Sequence, residues 1–420
     1  MEIATIKGFR DILPGEVSTW QWVESEARGI FRTFGFKEIK PPLLERTELF
    51  SRSIGQDTDI VSKEMYTLED GKGKGFTLRP EATASVVRAY IQHGLYRDDP
   101  VQKLFTIGPM FRRERPQKGR FRQFHQINAE IFGDDGPKSD ADIINVAMHI
   151  INTMGATETI LNINSLGCPD CRAKFRESLR EYLMQRIDSL CTDCRKRADI
   201  NPLRVFDCKV EGCKSVVSGA PSILDFICKD CREHFSLLKE YLKSLGLGFT
   251  VNHALVRGLD YYSRTTFEIQ SDQLGSQNAI AGGGRYDGLV KQLGGPDHTG
   301  IGFAIGMERL VTIMDTGSGE GAPAPVFFLA GLGESAEKKT MIWVNELRRS
   351  GIWVEMDYGS KGLKAQMKRA DRLGAKMTLI VGDNELASGK GILRDMKTKE
   401  QQEVDLDSLI ETLKKKIWNR

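Results

Sequence analysis

A chain of 420 residues is too long for one compact core and predicts two or three domains. With 28% charged and 40% hydrophobic residues it is globular rather than disordered. The formal net charge of +3 excludes a global basic field, so any nucleic-acid surface is expected to be a local patch. No run approaches the roughly 18 apolar residues of a membrane span. Residues 1–7 (MEIATIK) lack the cationic start and apolar run of a secretory signal, so the cytoplasm is the expected location.

In chain order, Val17, Trp20, Val23, Ala27, Ile30 and Phe34 recur at helical spacing up to Gly35. The Pro41-Pro42 segment that follows admits only an interrupted or edge strand. In 78–83 (LRPEAT), Pro80 is placed to open a helix that Glu81 and Thr83 would cap. Residues 105–112 and 124–132 read as two strands joined by a polar loop. Ser139 or Asp140 is expected to cap a helix with Ile143, Ala147, Ile150 and Met154 on one face, ending at Gly155. A cysteine-rich module spans 166–245, with helical stretches such as Phe175, Leu179, Leu183 and Ile187. Strands are expected again near 249–255, 265–270 and 278–281.

Residues 315–325 (DTGSGEGAPAP) read as a linker of small residues. Beyond it come a strand at 326–330, a helix at 338–350, strands at 352–356 and 377–381, and a helix at 363–373. That alternation predicts a small α/β domain with a mainly parallel sheet over 326–420. The hairpin-rich part over 1–325, interrupted by the module at 166–245, predicts an antiparallel sheet flanked by helices.

All eight cysteines fall between Cys168 and Cys231. Three pairs read Cys-x-Asp-Cys-Arg (Cys168/Cys171, Cys191/Cys194 and Cys228/Cys231); the fourth, Cys208/Cys213, is spaced more widely. In a reducing compartment such spacing suits tetrahedral zinc, as two four-cysteine sites or one with spares, in a structural role. Small buried residues on helix faces are the competing reading, since Cys228 and Cys231 precede Phe235 and Leu238 at helical spacing.

Arg112, Arg113, Arg115, Lys118, Arg120 and Arg122 crowd one hairpin loop against the single acid Glu114. So many like charges repel unless an anion neutralises them, and guanidinium forks match phosphate oxygens. In the next strand Phe124, Gln126, Asn128 and Glu130 share one face and Ile127, Ala129 and Ile131 the other. Three glycines at 282–284 allow either close approach to a ligand or a tight ligand-free turn. A glycine-rich strand at 300–306 leads into a helix that projects Arg309. No P-loop run is present, so a bound nucleotide would be held by arginines.

Together these features resemble the histidyl-tRNA synthetases of the class II aminoacyl-tRNA synthetases. Arg112, its basic loop and Glu130 resemble motif 2 of that class, and 302–309 resembles motif 3. The first helix and Pro41-Pro42 resemble motif 1, which implies a homodimer. LVRGLDYY (255–262) and GGGRYDGL (282–289) resemble the two histidine-specific signatures, and KGFRDILP (7–14) extends the likeness over essentially the whole chain. Ala82 stands where some members carry glycine.

The resemblance implies an α+β catalytic domain on an antiparallel sheet, a helical cysteine-rich insertion and a C-terminal α/β anticodon-binding domain. It implies that L-histidine is activated with ATP and Mg²⁺ and passed to the histidine tRNA. Glu81, Thr83 and Gln126 would hold the α-amino group, and Glu130 and Tyr262 the imidazole, beside Tyr261. Arg112 would grip the α-phosphate with Arg257 opposite, both catalytic by position and charge. Glu114, Arg120 and Arg309 would serve ATP, with Phe124 stacking on adenine. Gln117 and Arg122 of the loop, with the helical stripe Lys361, Lys364, Lys368 and Arg372, would contact tRNA. Taken alone, that stripe also reads as a solvated face, with Leu363, Met367, Ala370 and Leu373 inward.

Two other readings compete. Residues 331–336 (GLGESA), with Glu355 and Asp357 further on, approach a dinucleotide-binding fingerprint, but leave the upstream features unexplained. A non-catalytic, histidine-binding regulatory paralogue would be expected to lose the arginines and the C-terminal domain, and both are present.

Overall fold

The computed structural model describes residues 3–55, 58–71, 73–116, 119–314 and 324–418. Gln117 and most of the expected linker lie outside them. The chain divides into two compact units, 1–319 and 320–420.

The first unit is organised by the alternation seen in the sequence. Gln102–Phe111 and Gln123–Phe132 pair antiparallel along their whole length, from Gln102 opposite Phe132 to Phe111 opposite Gln123. An eight-stranded sheet grows from this hairpin. Its order is Lys37–Glu38, Gln102–Phe111, Gln123–Phe132, Gly300–Gly306, Ala279–Arg285, Ser263–Gln270, Ile160–Ser165 and Thr250–Val251. The ladders are antiparallel except at the two edges, where Lys37–Glu38 and Thr250–Val251 pair parallel.

One face of the sheet is apolar. Ile127, Ala129, Ile131, Ile301 and Phe267 pack there against the helices Pro14–Thr33 and Pro137–Thr153, which contribute Trp20, Val23, Ala27, Ile143, Ala147 and Ile150. The core covers this side, so the polar row of Gln123–Phe132 is left to face a cleft. Pro41 and Pro42 separate Lys37–Glu38 from Leu44–Arg46, which edges a separate three-stranded sheet, as proline's missing donor requires.

Several elements depart from expectation. The helix Pro137–Thr153 begins at Pro137 with Gly136 before it, because Pro at the first turn sets the helical φ. Ser139 instead donates to Gly136 O (2.8 Å), and Asp140 turns inward to Arg285. The strand expected at 249–255 shrinks to Thr250–Val251, after which 252–262 run without helix or strand. The three glycines are not a turn: they lie inside Ala279–Arg285, with a register irregularity between Gly284 and Arg285.

The cysteine-rich segment is helical: Pro169–Met184, Thr192–Ile200, Glu211–Ser218 and Lys229–Ser244. Phe175, Leu179, Leu183, Val205 and Ile223 form its own core together with the buried cysteines.

In the second unit a five-stranded sheet runs Val354–Met356, Phe327–Gly331, Met377–Val381, Lys390–Asp395 and Gln401–Asp405. The first three strands are parallel, but the last two add antiparallel ladders, so the sheet is mixed rather than mainly parallel. Its closing hairpin turns through Lys399 at φ 67 with no glycine to signal it. On Leu363–Arg372 the inward residues include Gln366, which donates to Gly331 O (2.8 Å) and Lys361 O (2.7 Å), whereas Leu363 is exposed.

Candidate active site

The polar face of the large sheet floors a cleft of about 580 Å³. Glu81, Thr83, Arg112, Glu114, Arg120, Phe124, Gln126, Arg257, Tyr261, Tyr262 and Arg309 all line it. Residues from four separate stretches of sequence thus converge on one space.

One end is acidic and aromatic. Glu81 accepts from the backbone N–H groups of Thr83 (2.7 Å) and Ala84 (2.9 Å), closing the N-terminus of the helix Thr83–Gln92. Burial, opposed by these bonds, raises its carboxyl above the ordinary range. Glu130 lies one layer deeper, held by Thr83 Oγ1 (2.7 Å) and the hydroxyl of Tyr286. Burial pushes its carboxyl up to about 8, against the pull of both hydroxyls. Tyr261 packs edge-to-face on Tyr286 (5.7 Å), and both phenols are raised by burial.

The other end is basic. Arg112 donates through Nε to Pro80 O (2.9 Å), and its guanidinium lies over the Phe124 ring, 5.3 Å from the centroid. Arg120 pairs with Glu114 (2.7 Å). Arg309 donates to Ala279 O (2.6 Å), and burial together with the Arg120 charge lowers its pKa. Lys209, also in the lining, is lowered by burial and then by Arg120 and Arg309. Cations that depress one another in this way favour an anion between them. Arg257 sits between the two ends, paired with Glu268. Burial disfavours its charge, but Glu268, Tyr262 and Asp207 outweigh that and hold its pKa up.

Two glycines make room for these side chains. A Cβ at Gly282 would lie 2.1 Å from Arg257 Nη2, and one at Gly302 would lie 1.7 Å from Glu130 Oε2. A side chain at Gly282 would therefore displace the Arg257 guanidinium, and one at Gly302 would also meet the backbone at Ala129 O (2.6 Å).

Other expected contacts separate from the cleft. Arg122 reaches the N-terminal segment, donating to Lys7 O (3.2 Å) and Glu114 O (3.3 Å). Lys361, Lys364, Lys368 and Arg372 are exposed on the second unit. Among the polar residues absent from the sequence-derived site are Tyr286, Glu268, Asp207 and Glu308. Tyr286 and Glu268 hold Glu130 and Arg257, and Asp207 faces Arg257 from the insertion. Glu308 anchors the helix bearing Arg309 by accepting from His125 N (2.9 Å). Tyr286 and Glu268 carried a signal, being one position beyond Arg285 in a named signature and at period two in 265–270.

Affinity for a ligand that donates N–H bonds to this end of the cleft is expected to follow Glu130. The ordinary carboxyl is ionised by about pH 4.5, and here it stays protonated up to about 8. N–H donors of a ligand select the ionised form, so the Kd of such a ligand should fall about tenfold from pH 6.5 to 8. Glu130→Gln should abolish that slope; equal slopes in both proteins would refute the assignment.

Two family models match. Histidyl-tRNA synthetase covers residues 8–310, and an anticodon binding domain covers 327–416. The chain is 54% identical over 407 residues to a histidine–tRNA ligase of Desulfatibacillum aliphaticivorans, covering 97% of each chain. It is 56% identical over 402 residues to that of Desulfosudis oleivorans, covering 96% of this chain and 95% of the relative. The crystal structure of apo histidyl-tRNA synthetase from S. aureus superposes with a TM-score of 0.82 at 35% identity, covering 98% of this chain and 100% of that one. With the arginine end, the buried carboxylates and the mixed sheet beyond residue 326, these matches place the chain in the histidyl-tRNA synthetase family, with a class II fold and a C-terminal anticodon-binding domain.

Proposed function

We infer that the chain is a histidine–tRNA ligase, forming histidyl-adenylate and pyrophosphate from L-histidine and ATP and then passing histidine to the 3′-terminal adenosine of the histidine tRNA. The observation that carries this reading is the polarity of a single cleft, with buried carboxylates and tyrosines at one end, arginines at the other, and Arg257 between them.

The α-amino group of histidine is a cation that needs acceptors, and Glu81, Thr83 and Gln126 supply them. The imidazole has two nitrogens. Glu130 and Tyr262 offer one partner each beside Tyr261, so amino acids lacking those nitrogens leave buried groups unpaired. Arg112 holds the α-phosphate, and Arg120, Arg309 and Glu114 organise the outer phosphates. Phe124 offers its ring to adenine. Arg257 faces the substrate carboxylate and the α-phosphate together, so it stabilises charge as the carboxylate oxygen attacks phosphorus. The rate then comes from positioning and preorganised charge, with no covalent nucleophile.

Mg²⁺ bound to the phosphates would neutralise the leaving pyrophosphate. Zn²⁺ is the metal the cysteines suit, in a structural role. The exposed stripe Lys361, Lys364, Lys368 and Arg372 suits the phosphates of the anticodon stem. A homodimer through the first helix and residence in the cytoplasm complete the reading; no described helix is long and apolar enough to cross a membrane.

Pyrophosphate exchange with each of the twenty amino acids tests this directly. Exchange with histidine alone is expected. No exchange with any amino acid, from folded protein with Mg²⁺, would favour a histidine-binding regulator without catalysis.

A further inference from the structure

The eight cysteines assemble into two quartets, Cys168/Cys171/Cys228/Cys231 and Cys191/Cys194/Cys208/Cys213, each with its sulfurs within 4.8 Å of one another. All eight are free thiols. The contacts Cys168 Sγ to Cys171 Sγ (3.4 Å) and Cys191 Sγ to Cys208 Sγ (3.9 Å) are far too long for disulfides. They bracket the edge of about 3.8 Å that a tetrahedron with zinc–sulfur bonds of about 2.3 Å requires.

The quartets share a second feature. In each, the first cysteine of one pair points its backbone N–H at a sulfur of the other pair: Cys228 N to Cys171 Sγ (3.0 Å) and Cys191 N to Cys213 Sγ (3.2 Å). Donors aimed at sulfur stabilise thiolates, as the surroundings of a metal centre do.

The segment 252–262, which carries Arg257, Tyr261 and Tyr262, has no ladder to satisfy its backbone. Asn164 donates to His253 O (3.3 Å) and Leu255 O (3.1 Å), and the carbonyls of Gly258, Asp260 and Tyr262 are met by arginines of the cysteine-rich insertion. Arg172, next to Cys171, donates to Tyr262 O and to Asp260 O (3.3 Å). Arg204, between Cys194 and Cys208, donates to Gly258 O (2.8 Å). Just beyond, Arg264 at φ 46 exchanges backbone bonds with Leu166 and Gly167, beside Cys168. The catalytic wall is therefore shaped by residues fixed to the two quartets.

We propose that each quartet binds one Zn²⁺ and that the two metals position the histidine-binding wall through Arg172 and Arg204, which act as positioning residues. The proposal rests on the ligase reading and adds a metal-dependent origin for the shape of its substrate site.

Full-length protein purified without chelator should contain two zinc ions per chain, and the Cys228→Ser/Cys231→Ser variant one. Arg172→Ala should keep both zinc ions and a single cooperative melt while KM for histidine rises about tenfold or more and KM for ATP changes little. Arg172→Lys should not restore the histidine KM, because a point charge cannot reach two carbonyls as a guanidinium fork does. Zinc below two per chain in the wild type would overturn the metal assignment. Arg172→Ala with an unchanged histidine KM, or with both substrate constants raised equally, would overturn the positioning role. Wild-type protein without histidine-dependent exchange would instead fail the ligase reading, with the metal content still deciding the quartets.

Discussion

Arg257→Ala is expected to lower histidine-dependent pyrophosphate exchange by about 10²–10³-fold through kcat, with the fold retained. Arg257 bridges the two ends of the cleft and is preset there by Glu268 before substrate arrives. A preorganised charge needs no reorganisation as the reaction proceeds, so its removal falls on the transition state rather than on ground-state binding. Lysine should recover little, since it lacks the planar fork that can meet a carboxylate and a phosphate together. Gly282→Ala offers an independent route to the same defect, because the new Cβ would occupy the place of Arg257 Nη2. Exchange at saturating histidine and ATP checks both. Wild-type kcat in Arg257→Ala would remove this residue from the chemistry.

Arg285→Ala is expected to destabilise the first unit by about 3–5 kcal/mol in chemical denaturation. The guanidinium is fully buried and donates to Asp140 Oδ1 (2.6 Å), Asp287 Oδ1 (3.1 Å), Ser139 Oγ (2.8 Å), Gly136 O (2.8 Å) and Asp134 O (3.0 Å). Alanine leaves Asp140 buried and without its cation. The deficit should depend on pH. Burial already raises Asp140 from 3.8 to about 6 even though Arg285 pulls it down. A folded value above the unfolded one contributes stability that is complete below about pH 4 and lost as pH rises through 6. Without Arg285 the folded value climbs further, so the loss relative to wild type should be larger at pH 8 than at pH 5. A deficit independent of pH would assign the effect to packing alone. Arg285→Ala combined with Asp140→Asn should cost less than the sum of the two single changes.

Periodicity made much of the frame legible. The helix at Pro14–Thr33, the paired strands ending at Phe111 and Phe132 and the second unit's alternation follow from spacing that one apolar face must obey. Local chemistry misled where tertiary contacts overrode it. Asp140 has the character of a helix cap, yet it is drawn inward by Arg285, more than a hundred residues away. The triple glycine has the character of a turn, yet it is strand, because it pairs on both sides, with 302–304 and with 266–268. Gln366 sits among charged residues and is nevertheless buried, because Gly331 O needs a donor. The hairpin through Lys399 carried no glycine to announce it.

The sequence by itself determined the composition of the site: which stretches bring arginines, carboxylates and tyrosines, and that eight cysteines are gathered in one insertion. These depend on residue type and short-range spacing, which a linear reading preserves. Tertiary structure alone decided the partners. It grouped the cysteines as first pair with fourth and second with third, set Tyr286 behind Glu130, set Glu268 on Arg257, and met the carbonyls of Gly258, Asp260 and Tyr262 with Arg172 and Arg204. Each of these is a contact between distant parts of the chain, imposed where a buried charge or an unpaired carbonyl had to be satisfied, and no local spacing encodes it.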